Sequence, residues 1–305
     1  MYIFSIPDAN DNTIGYNYNI RLINWGLLEA IKQHQEWFYD DFIIETAYGC
    51  PPGCIWNGNR CIGETDEFDD DWAETVVGMY KSYGVEYRLV FTNFLLKKEH
   101  LSNKLANQIA LAVSKIGGYV MVSTNLMANH MKHYSGLKIC WSTTTDFGKT
   151  VEAQIKKINE LSKTNLVVLP YEFNNKQELN QFVHPENLEV LGNEHCIDNC
   201  PNRREHWSSV NKAILEWDNP KSNAITECKF SQLYRSGQLR LHNITRDMLP
   251  VYEKMGINHF KISGRLEPDV AVPAYQHYFV RPEYLFLYEG FMKDFLTKFG
   301  EEANQ

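Results

Sequence analysis

The sequence predicts a (β/α)8 TIM-type barrel, an α/β fold filling residues 1–305 as one domain. Three observations lead there. Short apolar or β-branched runs alternate with amphipathic stretches of ten or more residues, the pattern of repeated βα units around a parallel sheet. Eight such runs can be counted. No glycine-rich dinucleotide or phosphate fingerprint follows the first of them, which makes a doubly wound open sheet the weaker reading. A length of 305 residues exceeds the usual single domain, but α/β barrels reach it.

Taken in order, the expected strands are YIFSI at the start, DFIIETA (41–47), EYRLVFT (86–92), YVMVST (119–124), KICWST (138–143), NLVVLP (165–170), NLEVLG (187–192) and HFKISG (259–264). Each is rich in β-branched, aromatic or leucine side chains and is bounded by turn residues. Helical periodicity falls between them, in NWGLLEAIKQHQEW, DDDWAETVVGMYKSYG, HLSNKLANQIALAVSKIG, NLMANHMKHYSG, TVEAQIKKINELSK, KQELNQFVH and ITRDMLPVYEKMG, and closes the chain in PEYLFLYEGFMKDFLTKFG. Thr245 or Asn243 is the expected N-cap before Asp247, and Gly84, Gly117 and Gly256 are expected helix stops just ahead of strands. The stretch from Cys196 to Leu241 matches no element, and long loops of that kind are commonly functional.

Composition excludes several classes. An apolar content of 44% and an aromatic content of 13% supply a core, and 22% charged residues is ordinary for a globular chain. The net charge of -8 gives no general attraction for nucleic acid or anionic membrane. No apolar run reaches about 18 residues and the start of the chain lacks a signal-peptide pattern, so a cytoplasmic location is expected. In that compartment seven cysteines are not a disulfide framework.

In a barrel of this kind the active site lies on the loops after the strands. The polar residues at those tips are Asn93, Asn125, Thr143, Thr144, Thr145, Glu172, Asn174, Asn193, Glu194 and Arg265, some of which serve only as helix caps. Two of the loops, at about 48–62 and 195–228, are rich in cysteine. Cys50 and Cys54 form one C-x3-C pair and Cys196 and Cys200 another, with Cys61 and Cys228 in the same loops. Only Cys140, inside KICWS, reads as an ordinary core thiol. Thiolates gathered from two loops suit an iron–sulfur cluster or zinc. C-x3-C spacing departs from the C-x2-C knuckle of structural zinc sites and leaves both metals open. Either both pairs ligate together, or Cys196, Cys200 and Cys228 join one cysteine of the earlier loop.

Other residues take supporting parts. Arg265 is the expected cation beside the site; Glu172 and Glu194 are candidate acid/base groups. Arg203 and Arg204 open either a basic patch or a solvated helix. His195 and His206 could ligate or shuttle protons, though a surface histidine explains each as well. Trp56 and Asn57 could wall a pocket, the tryptophan stacking on a ring substrate, or Asn57-Gly58 could be a turn.

The stretch MLPVYEKMGINHFKISGRLEPD resembles the closing segment of the collagenase-like peptidase family, peptidase family U32, through Phe260, Lys261, Ile262, Ser263, Gly264 and Arg265, which fit its F-K-I-x-G-R pattern. NLEVLGNEHCIDNC is similar to the family's E-V strand with a following cysteine loop, without that loop's usual small and aromatic residues. STTTD and LVVLPYEFN are similar to its middle strands. The resemblance runs from about residue 40 to 270 and is specific only in the last segment. It implies a TIM-like barrel and, in one branch, an oxygen-sensitive 4Fe-4S cluster supporting oxygen-independent hydroxylation of quinone precursors or RNA bases. The cluster ligands it implies are Cys50 or Cys54 with Cys196, Cys200 and Cys228. The substrate expected on this basis is a small aromatic molecule or nucleobase, with a redox partner and neither a membrane nor a stable DNA complex. A structural zinc site in a substrate-binding or scaffolding barrel is the alternative. The family's historical label, peptidase, would need a hydrolytic constellation, and no Ser-His-Asp, Cys-His or H-E-x-x-H arrangement stands out.

Overall fold

The structure is a computed structural model describing residues 1–9, 20–51, 53–58, 71–194, 200–216, 244–265 and 268–302. Its centre is a closed barrel of parallel strands in sequential order, β1 (Tyr2–Pro7), β2 (Phe42–Gly49), β3 (Glu86–Phe91), β4 (Gly118–Val122), β5 (Leu137–Trp141), β6 (Leu166–Val168), β7 (Leu188–Leu191) and β8 (His259–Lys261), with β8 returning to β1. All eight strand expectations are met. Register is set by alternation, since a slip of one residue would exchange the inner and outer faces. Phe4, for example, points outward against Tyr278 and Phe279 at 5.1 and 5.0 Å, whereas Ser5 points inward.

Around the strands lie α1 (Ile20–Gln33), a π-helical turn (Ala73–Val77) leading into α2 (Gly78–Ser82), α3 (Lys104–Ile116), α4 (Asn125–Met131), α5 (Val151–Leu161), α6 (Arg203–Glu216), α7 (Leu249–Lys254), α8 (Pro268–Phe279) and α9 (Leu285–Glu302). Asn103, Thr124 and Thr150 cap α3, α4 and α5 through their side chains, accepting from backbone N–H groups that the helix leaves unpaired. Gly84, Gly117 and Gly256 sit at φ of 76°, 91° and 86°, the left-handed region that ends a helix, as the sequence predicts. Thr245 is the cap residue before Arg246–Met248, and Asn243 lies outside the described residues.

Three helical expectations change. KQELNQFVH forms only a 3-10 turn, Gln177–Gln181. The unassigned stretch after the seventh strand contains α6, and α8 follows β8 where no helix was expected. Among the described residues no helix is long and apolar enough to cross a membrane.

The inside of the barrel is unusually polar for a fold whose interior is commonly filled by branched apolar side chains. Glu189 on β7 accepts from Ser5 Oγ at 2.5 Å and from Arg88 Nη1 at 2.6 Å, and Thr46 Oγ1 donates to Ser5 Oγ at 2.8 Å. Burial disfavours the Glu189 carboxylate, but Arg88, the two hydrogen bonds and, in its charged form, Lys261 outweigh it and hold its pKa below the usual carboxylate range. Above this layer, toward the C-terminal ends of the strands, lie Met121, Cys140, Val168, Tyr171 and Leu191, packed as a small apolar cluster.

Candidate functional site at the barrel mouth

The two-residue alternation that turns Lys261 inward on β8 continues past the strand, and Lys261, Ser263 and Arg265 all line one cavity at the mouth, of about 120 Å3. Tyr48, Thr92, Ser142, Thr143, Thr144 and Glu194 contribute polar walls, and Val90, Met121, Val168, Leu191 and Trp207 contribute apolar ones. The hydroxyls are coupled: Thr144 Oγ1 lies 2.6 Å from Ser123 Oγ and 3.0 Å from Ser142 Oγ. Gly264 holds φ at 122°, a conformation other residues rarely adopt, in the turn that leads to Arg265.

Arg265 is buried, at 8% exposure. Its Nη1 donates to Asn57 Oδ1 at 3.3 Å and its Nη2 to the Gly58 carbonyl at 3.1 Å, joining the loop after β8 to the loop after β2. Gly58 is there for closeness: a Cβ on it would lie 2.5 Å from the Thr92 carbonyl carbon. The same β2 loop carries Cys50 and Cys54, both free thiols and both buried. Burial pushes the Cys50 thiol far above its ordinary range, and a hydrogen bond with Cys54 and the charge of that neighbour add to the rise, against the opposing pull of Arg265. Cys50 is thus within electrostatic reach of both Cys54 and Arg265.

Cys200 is partly exposed, and its carbonyl accepts from Arg203 N at 3.2 Å at the start of α6. Cys61, Cys196, Cys228 and His195 lie outside the described residues. Among the described residues no three His, Cys, Asp or Glu side chains gather as a metal site. Cys140 is fully buried and its pKa is pushed up to about 12, chiefly by burial, as expected of a core thiol.

The two glutamates separate. Glu194 lines the mouth cavity beside Lys261 and Arg265. Glu172, in the 3-10 turn Tyr171–Phe173, is ion-paired with Arg203. The Arg203 guanidinium lies over the Tyr171 ring, 4.1 Å from its centre. Arg203 and Glu172 line a second, outer cavity of about 430 Å3, together with Lys149, Lys176, Asp146 and Arg204. Thr143 and Trp207 border both cavities. Arg203 is the first residue of α6, and His206 is on that helix.

Several tip residues prove structural. Asn93 Nδ2 donates to the Ile55 and Asn211 carbonyls, and Asn174 Nδ2 to the Leu191 carbonyl. Asn193 Oδ1 accepts from Ser263 N at 2.6 Å, while its Nδ2 donates to the Ser263 and Val270 carbonyls. Asn125 is the first residue of α4. Trp56 is a correction: it is fully buried, packed edge-on to Phe91 and His130, with Nε1 donating to the His100 carbonyl. An indole buried in the core has no free face for a substrate ring. Asn57 is likewise buried, as the acceptor for Arg265.

Lys261 is the site residue that sequence reasoning missed. It stands in the F-K-I-x-G-R segment, and the signal was its even spacing to Ser263 and Arg265, which puts it on the same inner face. No protein-family model matches the chain, and a search of curated proteins returns no relative.

Proposed function

We propose that the chain is an iron–sulfur barrel enzyme of the kind the U32 resemblance implies, modifying a small aromatic or nucleobase substrate by oxygen-independent hydroxylation. The observation that carries this reading is the pair of adjacent buried thiols, Cys50 and Cys54, beside Arg265 at the cavity end of the barrel. Soft thiolates in a dry setting fit an iron–sulfur centre. A guanidinium nearby offsets the negative charge that thiolate ligands bring. Cys196, Cys200 and Cys228 are the proposed remaining ligand sources, with Cys50 or Cys54 supplying the fourth.

When bound, the cluster would supply one-electron chemistry. The chain's own residues would do the rest. Arg265 holds the β2 and β8 loops together and presents positive charge at the mouth. Ser142 and Thr144 would offer hydroxyls to a polar substrate, and Glu194, which lines the same cavity, would exchange a proton with it. The outer cavity, with Lys149, Lys176 and Arg204, would take the remainder of a larger substrate.

The test is purification or reconstitution without oxygen, followed by iron and acid-labile sulfide analysis. The reading expects a brown protein with about four iron and four sulfide per chain. About one zinc per chain and no colour would support the structural zinc alternative instead. Activity that survives replacement of Cys196 and Cys200 by alanine would turn the reading toward metal-free hydrolysis.

A further inference from the structure

Lys261 is 6% exposed, and its Nζ makes no hydrogen bond among the described residues. It lies over the face of the Tyr48 ring and borders the mouth cavity. Burying an ammonium group without a hydrogen-bond partner costs several kcal/mol, and the carboxylate that acts on it, Glu189, is already engaged. Glu189 accepts from Ser5 with one oxygen and from Arg88 with the other.

The groups facing Lys261 come from several elements: Glu189 on β7, Arg88 on β3, Cys140 on β5, Tyr48 on β2, and Arg265 beyond β8. Burial drives the amine's pKa well below its ordinary range, Glu189 and Cys140 oppose the fall, and Arg88 and Arg265 add to it. A neutral amine has a free lone pair, and desolvation beside other cations is a recognised way to activate a lysine toward carbonyl compounds. The walls suit such a partner, since the Ser142 and Thr144 hydroxyls can hydrogen-bond a carbonyl oxygen.

We propose that Lys261 is an amine nucleophile that captures a small aldehyde, ketone or 2-oxo acid in the mouth cavity as an imine on Nζ. The Nζ lone pair attacks the carbonyl carbon while the C=O π bond opens, and the oxygen gains a proton as the nitrogen loses one. The resulting carbinolamine then breaks its C–O bond and releases water, forming C=N. One water leaves for each imine formed and nothing is oxidised or reduced. The step needs no metal and is independent of the iron–sulfur reading.

The full chain is incubated with pyruvate, and in parallel with acetaldehyde, in the presence of cyanoborohydride, then digested and mapped by mass spectrometry. The expected result is reductive alkylation concentrated on the Lys261 peptide, at least tenfold above any other lysine peptide, with at least one probe. Lys261→Arg, checked for an unchanged circular dichroism spectrum, should lose that adduct. Labelling confined to exposed lysines such as Lys32 and Lys212, with Lys261 unmodified under both probes, would overturn the proposal. The wild-type map decides by itself if the variant fails to fold. The experiment is run on metal-free and iron-loaded protein, so its failure leaves the cluster reading standing and its success does not require a cluster.

Discussion

Replacing Arg88 by methionine tests the polar barrel interior directly. Arg88 and Glu189 are both fully buried and joined at 2.6 Å. Removing one partner of a buried ion pair costs about 3–5 kcal/mol, because it strands the other charge. At about 2–4 °C per kcal/mol, the melting midpoint should fall by roughly 6–20 °C. The pair itself is less favourable than its contact suggests. Arg88 Nε and Nη2 find no hydrogen-bond partner among the described residues, so the desolvation of the guanidinium is only partly offset. Arg88→Met combined with Glu189→Leu should therefore recover most of the loss.

The pH dependence has a definite sign. Glu189 is held below its unfolded value, so its contribution is present above the unfolded carboxylate pKa of about 4.3 and is lost as pH falls through the folded one. In Arg88→Met burial is no longer outweighed and the folded pKa rises. The deficit against wild type should be largest at pH 7 and shrink toward pH 4. Urea unfolding across that range measures it. A single variant losing less than about 1 kcal/mol, or a double variant no better than the single, would show that Glu189 is not stranded by the loss of Arg88.

Three further outcomes follow from the site. Gly58→Ala places a Cβ against the Thr92 and Asn93 backbone, which cannot yield as a flexible side chain would, and should cost about 1–3 kcal/mol by urea unfolding. Asn193→Ala removes three bonds tying the β7 loop to Ser263 and Val270, at about 1 kcal/mol each and more for the stranded Ser263 N–H; limited proteolysis should then cut the β7 or β8 loop sooner. Cys140, fully buried with its pKa pushed up to about 12, should stay unmodified by iodoacetamide at pH 8 in the native state, and Cys140→Ala should leave metal content unchanged.

The strands were legible because each buries an apolar outer face, so β-branched runs recur at every turn of the barrel. What the runs hid was their inner face. EYRLVF and LEVL read as apolar strands with an incidental charge, yet Arg88 and Glu189 are that charge, paired across the barrel. The α6 helix escaped notice because RREHWSSVNKAILE buries little beyond Val210, Asn211 and Ala213, too few for a clear helical stripe. The α8 helix buries one face, Val270, Ala271, Ala274, Tyr275, Tyr278 and Phe279, but Pro273 within it is a residue that argues against a helix in sequence. The places of Arg265 at the mouth and of Cys50 and Cys54 in the loop after β2 were legible from strand position. Trp56 misled because an aromatic residue amid Asn and Gly looks exposed, whereas its contacts with Phe91 and His130 come from distant sequence.

Iron and sulfide content after anaerobic reconstitution, compared among wild type, Cys50→Ala/Cys54→Ala and Cys140→Ala, decides whether these thiols hold a cluster. Wild type and Cys140→Ala should hold about four iron per chain, and the double variant should lose most of it. Iron absent from wild type, or retained in full by the double variant, would contradict a cluster held by Cys50 or Cys54.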